Sequence, residues 1–184
     1  MQAVVVYESM FGNTRQIANA IAAGLVNGCL VSVIPVTQAG PEQIRDADLV
    51  VVGGPTHVHG MTRASTRQGA AKMAAEPDSG VVLEPDALAE GLREWLDMLG
   101  KSKVGAKAVA FDTRVAGPAA LTGRASRGIS RALRHHGYEL VADPESFIVT
   151  KEDVLEPGEE DRARMWGARL AASVSGASTP AHRG

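Results

Sequence analysis

Ser9-Met10-Phe11-Gly12-Asn13-Thr14 is the stretch on which the reading of this chain turns. The apolar run Ala3–Tyr7 precedes it, and a helical pattern starts near Arg15. That order predicts a buried parallel strand, a turn of small or hydroxylated residues, and a helix. Such a turn aims several backbone N–H groups, with the hydroxyls of Ser9 and Thr14, at one point above the helix N-terminus. Unpaired first-turn donors and the positive end of the helix dipole make that point an anion site. Asn13 followed three residues on by Gln16 adds a helix-start signature. A phosphate is the natural guest; the bland alternative is a Gly-Asn turn that merely caps a helix.

Other phosphate-binding loops fit poorly. No G-x-x-x-x-G-K-[ST] pattern occurs, which disfavours a nucleoside triphosphate cradle, and no G-x-G-x-x-G follows the first strand, which disfavours a dinucleotide. The single cysteine, Cys29, lies outside the turn, so a thiolate phosphatase loop is excluded. Residues 9–14 resemble the first loop of the flavodoxin family, which reads hydroxyl, two residues of any kind, Gly, Asn, Thr. The resemblance implies that Ser9, Met10, Phe11, Gly12, Asn13 and Thr14 wrap the terminal phosphate of FMN.

Strand and helix signals alternate along the chain. Ala3–Tyr7, Leu30–Val36, Leu49–Gly54 and Ala106–Phe111 read as strands, and a fifth lies within Glu139–Val149, centred on Ser146–Thr150 with an extended lead-in. Ile17, Ile21, Gly24 and Leu25 mark one helix. Leu88, Leu92, Trp95, Leu96 and Leu99 mark a second, and Ala125, Ile129, Ala132 and Leu133, ended by Gly137, a third. Ala163, Trp166, Leu170 and Val174 mark the last, with Glu159, Glu160 and Asp161 suiting its N-terminus. Alternating β and α units predict a parallel sheet covered on both faces. The resemblance adds a doubly wound five-stranded sheet in the order 2-1-3-4-5, with FMN at the switch in strand order. One domain is expected over residues 1–175, with an insertion at about 62–87 and a disordered tail at 176–184.

Composition agrees. The chain has 184 residues, enough for one real core, 45% of them apolar. One cysteine makes no internal disulfide, which points to a reducing cytoplasm. Nothing at the start resembles a signal peptide, and no apolar run approaches the roughly 20 residues of a membrane span. A formal net charge of −2 argues against nucleic-acid binding by bulk electrostatics.

Ligands in such sheets sit at the carboxyl ends of the strands. The third strand is followed there by Pro55-Thr56-His57-Val58-His59-Gly60-Met61, and the fourth by Phe111-Asp112-Thr113-Arg114, read as a third loop. Pro-Thr, four residues and Met is similar to the loop flanking the flavin ring in flavodoxin-like NAD(P)H:quinone oxidoreductases. Leu92-Arg93-Glu94-Trp95-Leu96-Asp97 resembles the helix that follows in those enzymes. The insertion between them, carrying Arg63, Arg67, Lys72 and Val81-Val82-Leu83, has three readings: a flap over the flavin, a subunit contact or a surface elaboration.

The chain departs from diffusible flavodoxins in its ring site. His57, Val58 and His59 stand where a Trp or Tyr is expected, and aromatics make up 4% of the residues. A nearby Arg114 or protonated histidine favours an anionic reduced flavin, which predicts a less reducing protein than acidic electron carriers. His57 and His59 form an H-x-H pair without a third ligand cluster, so no metal is expected. His135 and His136 suit a helix C-terminus. Arg124, Arg127, Arg131 and Arg134 line one helix stripe, either a solvated face or a docking surface for an acidic partner or phosphorylated nicotinamide cofactor.

These readings predict an FMN-binding protein acting in electron transfer or redox chemistry. Its partner is a redox protein or a small acceptor such as a quinone, and homo-oligomerisation is left open. An NAD(P)H-dependent quinone reductase and a fold that has lost FMN to become a binding module are the alternatives.

Overall fold

The computed structural model describes residues 1–176. Six strands form one parallel sheet: β1 Gln2–Tyr7, β2 Leu30–Pro35, β3 Leu49–Pro55, β4 Lys107–Val115, β5 Glu139–Leu140 and β6 Glu145–Val149. The order is β2-β1-β3-β4-β5, and β6 also pairs with β4. The expected fifth strand is thus two collinear pieces. Lys107 and Ala108 face Glu139 and Leu140, whereas Phe111 to Val115 face Glu145 to Val149. Val141–Pro144 bulge between them, and Pro144 has no N–H to give to a ladder.

The helices are α1 Asn13–Leu25, α2 Pro41–Ile44, α3 Ala64–Ala74, α4 Leu92–Met98, α5 Ala119–Thr122, α6 Ala125–His135 and α7 Glu159–Gly176. The last helix reaches Gly176, so that residue is helical; the rest of the expected tail lies outside the described residues. The second amphipathic helix starts at Leu92 rather than Leu88, which is exposed. Glu94 Oε2 accepts from Gly91 N and Glu8 Oε2 from Leu92 N, which fixes the start there. Gly137, at φ +94°, closes α6: its N–H reaches Arg134 O and that of Tyr138 reaches Leu133 O.

Two apolar layers sandwich the sheet. Val5, Val51, Val109, Phe111 and Phe147 pack on one face against Ile17, Ile21 and Leu25 of α1 and Trp166 and Leu170 of α7. Val6, Val52, Ala108 and Ala110 pack on the other against Trp95, Leu96, Ile129 and Leu133. Near-continuous burial of Leu49–Gly54 is what a central parallel strand requires. Helices α1 and α7 cross at backbone contact: a Cβ on Gly24 would lie 2.0 Å from Arg164 O, and one on Gly167 2.2 Å from Ile21 O.

The segment 62–87 contains α3 and folds onto the outside of the first loop. Met10, Ala70 and Ala87 form a small third core joined by Phe11 and Leu83. Glu84 N donates to Met10 O at 2.8 Å, and Arg15 Nε pairs with Glu84 Oε2 at 3.0 Å. No helix among the described residues is long and apolar enough to cross a membrane.

Candidate functional site

Three strand ends converge on a cavity of about 80 Å³ at the carboxyl edge of the sheet. Ser9, Met10, Phe11, Asn13 and Thr14 line it from the first loop, Pro55, Thr56 and His57 from the end of β3, and Thr113 and Arg114 from β4. Ten of the sixteen expected residues therefore meet at one place. Val115, Val149 and Asp153 complete the wall. The last of these was not legible: it arrives from a turn 140 positions beyond Asn13, bound by Asn13 Nδ2 to Asp153 O at 2.7 Å.

The first loop has the form its residues require. Gly12 takes φ +92° at the N-cap of α1, a conformation that costs an L side chain about 1–2 kcal/mol. Gly12 N donates to Ser9 Oγ at 3.1 Å, which closes the turn. No side chain caps α1, so the N–H groups of its first turn are left without a side-chain partner. Thr14 Oγ1 and Thr113 Oγ1 share a 2.8 Å hydrogen bond that ties the first helix to β4.

The expected third loop is strand. β4 runs to Val115, because β6 pairs with it through Val149. Phe111 is fully buried and packs edge-on against Phe147, with ring centroids 6.2 Å apart. Asp112 is fully buried on the opposite face, and its Oδ2 accepts from Ser126 N at 2.8 Å. Neither lines the cavity. Thr56 Oγ1 accepts from Ala125 N at 2.9 Å, so Thr56 and Asp112 together cap α6. The dipole of α6 is answered from within the protein, while that of α1 stays open to a ligand.

His57–Gly60 form a tight turn with backbone bonds in both directions, His57 N to Gly60 O and Gly60 N to His57 O. Val58 at φ +45° and His59 at +71° occupy the left-handed region, where a β-branched residue is an outlier. Both are exposed and stand outside the cavity, as does Gly60. A bridge from His59 to Gly123 clasps the turn to the entry of α6. His57 is half-buried, and that burial lowers its pKa. That disfavours the protonated form of His57, one of the two sources of positive charge expected beside the ring. Arg114 supplies the positive charge. Its guanidinium donates to Val115 O, Gly117 O and Thr122 Oγ1 at 2.9–3.2 Å and holds the 115–122 segment. Burial raises the pKa of Asp153, the carboxyl group on the same wall.

A buried network behind the site escaped the sequence reading. Glu8, Thr62 and Arg67 are 6%, 0% and 4% exposed, so this is an interior charge system and not a surface one. Thr62 Oγ1 donates to Glu8 Oε1, and Arg67 grips both oxygens of Glu94 at 3.0 and 3.2 Å. Burial pushes Glu94 up, but the hydrogen bonds from Arg67 and from the backbone N–H groups of Gly91 and Glu94, with the charge of Arg67, together outweigh it, so its pKa is lowered. The network pins the insertion and α4 to the end of β1. No insertion residue lines the cavity. Among the described residues no group of three or more His, Cys, Asp or Glu could hold a metal.

The cavity passes one test for FMN and limits another. An uncapped helix start over a hole of phosphate size suits the phosphate. A space of about 80 Å³ is far below the roughly 300 Å³ or more of small-molecule sites. A flavin ring would not fit within it.

Residues 4–74 match a family model described as a flavodoxin domain. No curated protein matches the chain in sequence. Among solved structures, a flavodoxin from the domain Archaea is 20% identical, with a TM-score of 0.62 over 95% of this chain and 99% of that one. Oxidised flavodoxin 1 from Bacillus cereus is 18% identical, with a TM-score of 0.63 over 97% and 100%. A flavodoxin, WrbA-like protein from Agrobacterium tumefaciens is 17% identical, with a TM-score of 0.58 over 95% and 98%. The sequence match is confined to residues 4–74, and the fold of the described residues is flavodoxin-like.

Proposed function

We propose that this chain binds FMN non-covalently through its first loop and works in electron transfer. The uncapped start of α1, set over a phosphate-sized cavity where three strand ends meet, is the observation that carries this reading. Bound FMN supplies the electron or hydride transfer itself. The chain's own residues bind and tune. First-turn N–H groups of α1 hold the phosphate, and Thr14 is kept in place by Thr113. Arg114 sets a fixed positive charge beside the site, which favours an anionic reduced ring and makes the protein less reducing than acidic carriers. The reductant or acceptor is a redox protein or a small molecule such as a quinone. Cys29, a free and buried thiol, suits a reducing cytoplasm.

Within this reading the chain is either a carrier for a partner enzyme or an NAD(P)H-dependent quinone reductase, as the Pro55-Thr56…Met61 loop suggests. A second reading, a binding module without FMN, is favoured by one feature. Phe11, the aromatic residue of the first loop, packs against the cluster of Met10, Ala70 and Ala87, and His57 takes the place of a stacking ring. Purified protein separates these. A yellow preparation releasing close to one FMN per chain supports the first reading, and NAD(P)H turnover with a quinone then marks a reductase. Colourless protein that takes up no FMN leaves the binding module.

A further inference from the structure

A second and larger cavity, about 560 Å³, lies on the sheet face that carries α4. Its origin is topological. Only a three-residue 3₁₀ turn, Val36–Gln38, and the four-residue α2 span the crossover from β2 to β3, and α4 has only seven residues. Elements this short leave part of the sheet uncovered. Val36, Ile44, Trp95, Leu99 and Ala106 form its apolar wall. No residue of the phosphate-sized cavity lines it.

The polar groups on this wall are mostly donors. Arg45, Lys101 and Lys103 stand at it against a single carboxylate, Glu90. Neither Arg45 nor Lys103 has a carboxylate within 4.0 Å among the described residues. Ser102 lines the wall with its Oγ buried and without a hydrogen-bond partner. Tyr138 is 8% exposed and lines it too. Trp95 is already spent, its Nε1 donating to Ala39 O at 2.6 Å. An apolar chamber of small-molecule size with unspent donors calls for a ligand that brings an apolar body and acceptors.

We propose that this cavity is a binding site for a small aromatic carboxylate, its ring between the β2–β3 crossover and α4 and its carboxylate towards Lys103, Arg45 and the hydroxyls of Ser102 and Tyr138. The site is independent of the FMN proposal and is tested apart from it. Calorimetric titration with 2-naphthoate is expected to give one saturable site per chain, with a dissociation constant of roughly tens to hundreds of micromolar. The double variant Arg45→Ala/Lys103→Ala is expected to bind about tenfold more weakly and Tyr138→Phe a few-fold more weakly. Neutral 2-naphthalenemethanol is expected to bind at least about tenfold more weakly than the acid. FMN titration of each variant reports on the separate cavity at the strand ends and should be unchanged. Absence of saturable binding, equal affinity for the neutral analogue, or indifference to the charge variant would overturn the proposal. So would sedimentation as a dimer whose dissociation is required before 2-naphthoate binds, since the cavity would then be covered by a second copy.

Discussion

His57 lines the phosphate-sized cavity, and its burial has a consequence for stability. The folded protein holds its proton less tightly than the unfolded chain does, because burial disfavours the charged ring. The unfolded state therefore binds more protons between the lowered pKa and the ordinary value of about 6.5. Stability rises with pH through that interval and is fully present above it. Urea unfolding from about pH 5 to about pH 7.5 should show this slope, and His57→Gln should flatten it. Asp153 poses the opposite problem: a carboxylate on the wall of the proposed anion site. Its backbone carbonyl, not its side chain, holds Asn13, and its φ of +56° is one that Asn tolerates. Asp153→Asn is expected to tighten binding of FMN by about five- to tenfold at neutral pH, measured by fluorescence quenching. An unchanged affinity would place the phosphate elsewhere. Asp112 carries the lesson about reading residues. An acidic residue past a strand end looks like a ligand contact, yet it is fully buried and caps α6.

At the scale of elements, the crossing of α1 and α7 is the least forgiving contact. Gly24 and Gly167 let the two backbones touch, and a methyl group at either meets a carbonyl oxygen rather than a mobile side chain. Gly167→Ala should destabilise the protein by about 1–3 kcal/mol in equilibrium unfolding, despite alanine's better helix propensity. Long periodic elements were legible for a physical reason. Each buries one face, and burial imposes a period of 3.6 or a continuous apolar run. The first loop was legible because a turn into an uncapped helix needs small and hydroxylated residues. Short elements were not. α2 and α5 have four residues each, too few for a period, and α3 buries only Arg67 and Ala70. Glu8, Arg67 and Glu94 were hidden because their hydrogen bonds span up to 84 positions and no local pattern marks them. β4 ran past its expected end because Asp112 and Thr113 look like loop residues and are held in the strand by β6.

At the scale of the whole molecule, charge is uneven although the sum is only −2. Arg127, Arg131 and Arg134 are exposed along α6, and none has a carboxylate within 4.0 Å among the described residues. Arg124 stands at the N-cap, where the helix dipole opposes a cation. If this stripe docks an acidic redox partner, Arg127→Glu/Arg131→Glu slows partner reduction and weakens its salt dependence. Unchanged rates and salt slope in stopped-flow measurements would mark a solvated face. The rim's division of labour, with α6 capped from inside and α1 left open, is the basis of the functional account. Fluorescence titration of the flavin-free protein with FMN and riboflavin, side by side, tests it most directly. Grip on the phosphate predicts quenching of FMN with an affinity at least about a hundredfold above that for riboflavin. Equal affinities, or no quenching of either flavin, would contradict it.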